Sequence, residues 1–222
     1  MVEQVVDSLS YLWAYLPGFL SASWLAFEIS LVTIVLSWFV GLALALGQRS
    51  NLLIIRKTAA LYIWFIRGTP ALIQVFIVYF GLPQVGIKLD PFTAGILALA
   101  FGSGAYVAEI IRSGLKAIPR GQFDGAYSIG LTRMQMYQKV VLPQVIRIVV
   151  PALTNEAINT LKNTSLLSTI TVVELTLHTQ TMIAATFRPF EFYILAAALY
   201  LVMTSALSRF ASWYEKAYPS YS

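Results

Sequence analysis

The sequence predicts an all-α integral membrane protein of about five transmembrane helices. Two observations carry this. Of 222 residues, 58% are hydrophobic and 11% are charged, with a mean hydropathy of +0.73; ordinary soluble domains are about 45–50% apolar and about 25% charged. Uncharged apolar runs also recur at bilayer length, since a hydrocarbon core of roughly 30 Å takes about 20 helical residues. The same composition excludes a disordered chain, a coiled coil and a nucleic-acid-binding module. The net charge of +5 comes from too few charges to build a basic face. With no cysteine there is no disulfide framework, thiol chemistry or thiolate metal site, and a single histidine, His178, excludes a histidine-cluster metal site.

The first span is the uncharged run 29–48, extending back toward Ala22. The second is the uncharged run 68–87, preceded by the apolar stretch 58–66. Between them stands Arg67-Gly68-Thr69-Pro70, where proline lacks an N–H and clashes with the preceding turn, so a kink or break is predicted. The third span is 91–108, running on through Glu109, and the last is 192–208, ending at Arg209. The fourth, 145–173, is apolar enough to insert yet holds Asn155, Glu156, Asn159, Lys162 and Asn163, so those residues are predicted to face protein or water. Glu3 and Asp7 replace the basic start of a signal peptide, and 11–19, with Trp13, Tyr15 and Pro17, reads as an interfacial lead-in. The domain reading is therefore a lead-in over 1–21, a membrane body over 22–213 and a tail over 214–222.

The cations set the orientation. Arg49, Arg56, Lys57, Arg112, Lys116, Arg120, Arg133, Lys139, Arg147, Arg209 and Lys216 fall on one side of a five-span chain, and only Lys88 and Arg188 lie in the opposite loops. The N-terminus is predicted outside, the C-terminus inside, and the loop 114–143 cytoplasmic.

That loop is bracketed by Pro119 and Pro143. Gly130 suits a left-handed helix stop, and Thr132-x-x-Gln135 is a capping-box pattern, so two short angled helices are predicted. Asp124-Gly125-Ala126, then Gly130, then Val140 and Leu142-Pro143 resemble, at every spacing, the EAA loop of permease subunits of bacterial ABC importers. Two departures stand out: Asp124 for Glu keeps the charge, and Gly125 for Ala loosens the helix by up to about 1 kcal/mol. Arg67-Gly68-Thr69-Pro70, Gly104-Ala105-Tyr106-Val107-Ala108-Glu109, Pro119-Arg120-Gly121-Gln122, Leu142-Pro143-Gln144 and Leu161-Lys162-Asn163-Thr164-Ser165 resemble strings of that family's polar amino-acid branch.

The resemblance implies the type I importer transmembrane fold in a bacterial inner membrane. It implies a homodimer or heterodimer with a similar permease, two cytoplasmic ATPase subunits, an external substrate-binding protein and an amino-acid substrate. Asp124, Gly125, Ala126, Gly130, Leu142 and Pro143 would then couple to the ATPase. The chain has no Gly-x-x-x-x-Gly-Lys-Ser/Thr, so it is read as non-catalytic and without a cofactor of its own, with ATP and Mg on the partner.

Ionisable groups at membrane depth line cavities or pair. Asn155, Asn159 and Lys162, overlapping with Glu156 and Asn163, form one helical face. Lys162, Asn163, Thr164 and Ser165 offer a cation, an amide and two hydroxyls to an amino acid, and Asn159 lies on the same face. Thr69 and Gln74 join them from the broken helix, where free backbone groups suit a transport site. Arg67 is expected to brace that break, Glu109 to pair with Arg112, Lys162 to bind solute or neutralise Glu156, and His178 to lie on the external surface. Gly41-x-x-x-Ala45 and Gly102-Ser103-Gly104 are expected to allow close helix approach. In the resembling family an acid often follows the lysine; Asn163 stands there, which favours a glutamine- or glutamate-like substrate, although Glu156 and Glu174 keep a cationic one open. The alternative class is a gradient-driven secondary transporter or channel, for which no inverted repeat is visible and which leaves the long loop unexplained.

Overall fold

The computed structural model describes the backbone of residues 2–217 and the side chains of 12–217; readings on the side chains of Glu3, Asp7 and Tyr11, and on tail residues 218–222, lie outside the described residues. The regular structure of the described residues is all helical, joined by short turns: α1 (Val2–Gln48), α2 (Leu53–Arg67), α3 (Ala71–Phe76), α4 (Pro91–Ala117), α5 (Arg120–Ser128), α6 (Arg133–Met136), α7 (Leu142–Asn163), α8 (Leu175–Thr186) and α9 (Pro189–Ala217). Among them four helical segments are long and apolar enough to cross a membrane: Leu12–Gln48, Pro91–Ala117, Arg133–Ile170 and Pro189–Ala217. The pair formed by α2 and the run Ala71–Val85 makes a fifth when counted as one broken span. The count of five thus rests on a helix that turns by 112° at Gly68–Pro70.

Apolar pairing builds the bundle around α1 and α4. A Cβ on Gly41 would stand 2.4 Å from Val107 Cγ1, and one on Gly104 would stand 2.5 Å from Val40 Cγ1. Small residues therefore let these two backbones meet, as the sequence suggests. Ala45, Ala105 and Ala108 continue the seam against Ile63 and Ile66 of α2. At the other end of α4, Ala98 and Leu99 pack with Ile29, Val75 and Leu167, which seats α3 inside the bundle.

The first span begins earlier than predicted. The helix runs unbroken through Pro17, and Phe19, read as part of an interfacial lead-in, is fully buried and stacked on Phe192 of α9 at 5.5 Å. Proline at this point costs one intrahelical bond, and buried aromatic contacts outweigh it.

Two prolines are absorbed by widened turns. A π turn spans Ile77–Gly81 ahead of Pro83, and another spans Tyr137–Val141 ahead of Pro143. In each case the carbonyl four residues before the proline, which the ring would strike in an α-helix, lies in the wider turn. The second helix of the 114–143 loop is therefore not a separate element: α6, the π turn, α7 and the final tight turn Thr164–Ile170 form one rod, Arg133–Ile170.

The start of that rod is capped as predicted. Gln135 N donates to Thr132 Oγ1 at 3.4 Å, and Thr132 N donates to Gln135 Oε1 at 3.0 Å. Gly130 sits at φ +77°, with its N–H donating to Tyr127 O (2.9 Å) and that of Leu131 to Ala126 O (3.1 Å). This double bond pattern is the Schellman stop. Ala126 is buried against Ile118, Met136, Val141 and Val145, so an apolar patch fastens α5 to the foot of the rod.

Candidate functional site

The polar face of α7 looks into a cavity of about 430 Å3. From α7 come Glu156, Asn159, Thr160, Lys162 and Asn163; from α4 come Gly102, Ser103 and Tyr106; from the break come Thr69 and Gln74. This volume lies in the range of small-molecule sites. Its only charged lining residues are Glu156 and Lys162.

Five of the seven residues proposed from sequence as substrate contacts line this cavity: Thr69, Gln74, Asn159, Lys162 and Asn163. Thr164 and Ser165 do not. Thr164 is fully buried and donates to Leu161 O at 2.8 Å, while Ser165 donates to Lys162 O at 2.8 Å. The tightening of the helix at Thr164 turns both hydroxyls onto their own backbone, a local option always open to Ser and Thr. Asn155 is exposed and does not line the cavity.

The break is braced by a residue other than the one expected. Gln74 Nε2 donates to Ile66 O at 2.8 Å, and it lies 3.1 Å from both Thr69 O and Thr69 Oγ1. Thr69 in turn donates to Phe65 O at 3.1 Å. An amide reaching back eight residues satisfies carbonyls that the interrupted helix leaves open. Arg67 points elsewhere, toward Glu109 Oε2 at 3.4 Å and over the Tyr106 ring at 5.6 Å.

Glu109 pairs with Arg112 as predicted, Nε to Oε1 at 2.8 Å, and also accepts from Gln48 at 3.4 Å. Lys162 does not neutralise Glu156: among the described residues the ion pairs all converge on Glu109. Glu156 accepts instead from Ser103 Oγ at 2.8 Å, and Ser103 lies 3.1 Å from Thr160 Oγ1. Ser103, Tyr106 and Thr160 were not proposed from sequence. The spacing Glu156, Asn159, Thr160, Asn163 follows i, i+3, i+4, i+7 and marks Thr160 as a member of the face. Ser103 lay within a string read only for packing.

Tyr106 and Glu156 also line a second cavity of about 460 Å3, which holds Arg67, Glu109 and Ser113 and extends toward the α5–α6 end. Tyr106 of α4 and Glu156 of α7 thus stand where the two cavities meet.

Two readings outside the cavity are corrected, Glu174 as a partner for a cationic solute and His178 as a surface residue. Glu174 is fully buried as the N-cap of α8, accepting from Thr176 N (2.9 Å), Leu177 N (3.1 Å) and Tyr200 OH (2.9 Å). Burial pushes its carboxyl above the usual range, and it is unavailable to a cationic solute. His178 is half-buried rather than a surface residue, edge-on to Phe19 at 4.9 Å, and burial lowers its pKa. Of the loop residues, Asp124, Gly125, Gly130, Leu142 and Pro143 are exposed and Ala126 is buried.

Residues 34–218 match the family described as binding-protein-dependent transport system inner membrane component. The chain is 38% identical to the probable amino-acid ABC transporter permease protein YckA of Bacillus subtilis (strain 168), over 87% of this chain and 85% of that protein. It is 34% identical to the octopine transport system permease protein OccM of Rhizobium radiobacter, over 90% of this chain and 85% of that protein. Its fold superposes on a crystal structure of an amino acid ABC transporter with histidines at a TM-score of 0.88 and 39% identity, covering 94% of this chain and 97% of that one. The chain therefore belongs to the family of inner membrane permease components of binding-protein-dependent transport systems.

Proposed function

We propose that this chain is the membrane-spanning subunit of an ATP-driven, binding-protein-dependent importer of polar amino acids. The observation that carries the reading is the α4–α7 cavity with one acid and one base. Lys162 suits an α-carboxylate and Glu156 an α-ammonium. With both spent on the zwitterion, Asn159, Asn163 and Thr69 are left for the side chain, which favours a neutral polar one such as that of glutamine. The two cavities that meet at Tyr106 of α4 and Glu156 of α7 support a route continuing toward the α5–α6 end.

In this reading the N-terminus is outside and the C-terminus cytoplasmic, in a bacterial inner membrane. Two similar permeases pair, as a homodimer or heterodimer. Two separate ATPase subunits bind ATP and Mg, and an external binding protein delivers the solute. The exposed face of α5 with Asp124 and Gly125 docks on the ATPase. Ala126 and the Schellman stop at Gly130 hold α5 rigid, and Leu142-Pro143 carry its movement into α7. ATP then shifts the bundle only through its different affinity for the two states of the assembly. The body is 22–213 with the coupling loop 114–143, flanked by 1–21 and 214–222; the seating of Phe19 supports counting part of the lead-in with the body.

The test is uptake of radiolabelled glutamine into proteoliposomes holding the assembled importer. ATP-dependent uptake is expected, with Glu156→Gln and Lys162→Met each cutting it at least tenfold while assembly persists. Uptake driven by an ion gradient without ATP would overturn the coupling reading, and unchanged uptake in both variants would overturn the site.

A further inference from the structure

We propose that a cleft between the ends of α1, α2 and α4 binds the phosphate headgroup of an anionic phospholipid. The cleft encloses about 660 Å3 and is lined by Gln48 and Arg49 from α1, Arg56 from α2, and Glu109, Arg112 and Lys116 from α4. Its one carboxylate is already committed, because Arg112 and Arg67 both hold Glu109. Among the described residues Arg49, Arg56 and Lys116 meet no carboxylate within ion-pair distance. Three cations converging on one concave space without a counter-charge suit oxygens that carry negative charge from outside the chain.

The surroundings select a lipid over a free phosphate. Arg56 follows directly on Leu52, Leu53, Ile54 and Ile55, which are 61%, 53%, 73% and 41% exposed. The cleft lies where α1 ends and α4 enters its last two turns, at the ends of two apolar spans. A phospholipid would place its phosphate among the cations and its tails along this apolar flank; a soluble phosphate would leave the flank uncovered. Basic pockets between helix ends are a recurrent means of holding anionic headgroups. The opposite end of the bundle carries Lys88 and Arg188, and neither lines this cleft. The inference stands apart from the transport reading, since it concerns neither solute nor ATP.

The full-length protein, purified in neutral detergent, is titrated with dioleoylphosphatidylglycerol or dioleoylphosphatidylcholine, and bound lipid is counted by native mass spectrometry. The wild type is expected to retain phosphatidylglycerol preferentially, and R49Q/R56Q/K116Q to lose at least about tenfold of that preference, given roughly fivefold per cation. K88Q/R188Q is expected to keep it. A wild type without preference, or a triple variant that matches the wild type, would overturn the site. Displacement of the lipid by millimolar inorganic phosphate would overturn the lipid assignment. Should the triple variant fail to fold, R56Q alone decides, because Arg56 is exposed on the flank of α2; full retention by R56Q counts against the proposal.

Discussion

Replacing Gln74 by leucine separates bracing from binding. Leucine roughly keeps the volume of the side chain but removes its amide. Nε2 has two hydrogens and three acceptors in range: Ile66 O at 2.8 Å, and Thr69 O and Oγ1 at 3.1 Å each. Two bonds are therefore lost at about 1 kcal/mol each, and a carbonyl left dry adds about 1–3 kcal/mol. Ile66 O keeps a weak donor in Thr69 N at 3.4 Å, so the larger penalty falls at Thr69 O. The sum is about 3–5 kcal/mol, enough to lower the melting temperature in detergent by roughly 6–20 °C for a chain of this size. The assay is thermal unfolding of the purified protein alongside uptake kinetics. Bracing predicts a less stable protein whose surviving fraction keeps its KM. A variant as stable as the wild type with a KM raised tenfold would refute the reasoning and return Gln74 to the substrate.

Other predictions follow from single residues. Gly104→Val drives a side chain into Val40, where even a Cβ would lie at 2.5 Å, and should destabilise by at least about 1–3 kcal/mol on thermal unfolding, with Gly41→Ala in the same direction. In the loop, Gly130→Ala should loosen α5 by about 1–2 kcal/mol because alanine resists φ +77°. Gly125→Ala meets nothing within 4 Å and should firm the helix by up to about 1 kcal/mol; hydrogen exchange over 120–131 reads both signs. His178 resists protonation in the fold, whereas the unfolded chain takes a proton near 6.5. Its contribution is therefore present above that pH and lost as pH falls through it, so the melting temperature should drop between pH 7.5 and 5.5 by less in His178→Phe than in the wild type.

The sequence alone determined the number of apolar spans, the capped turn at Gly130–Gln135 and the polar face of α7. All of these follow from properties local in the chain: run length, period, the φ freedom of glycine and the reach of a side chain to its own backbone. Legibility failed where a partner distant in sequence decides. Phe19 read as interfacial because Pro17 and its aromatic neighbours suit a membrane surface; Phe192, 173 positions later, makes it core. Thr164 and Ser165 extended a polar string, but a tight turn withdrew their hydroxyls. Gln74 took the bracing expected of Arg67 because the 112° bend aims its amide at the open carbonyls and the Arg67 guanidinium at Glu109. Periodicity ranks which residues face inward, while the tertiary structure decides which of them meet, since a buried polar atom must find its partner wherever the packed helices place one.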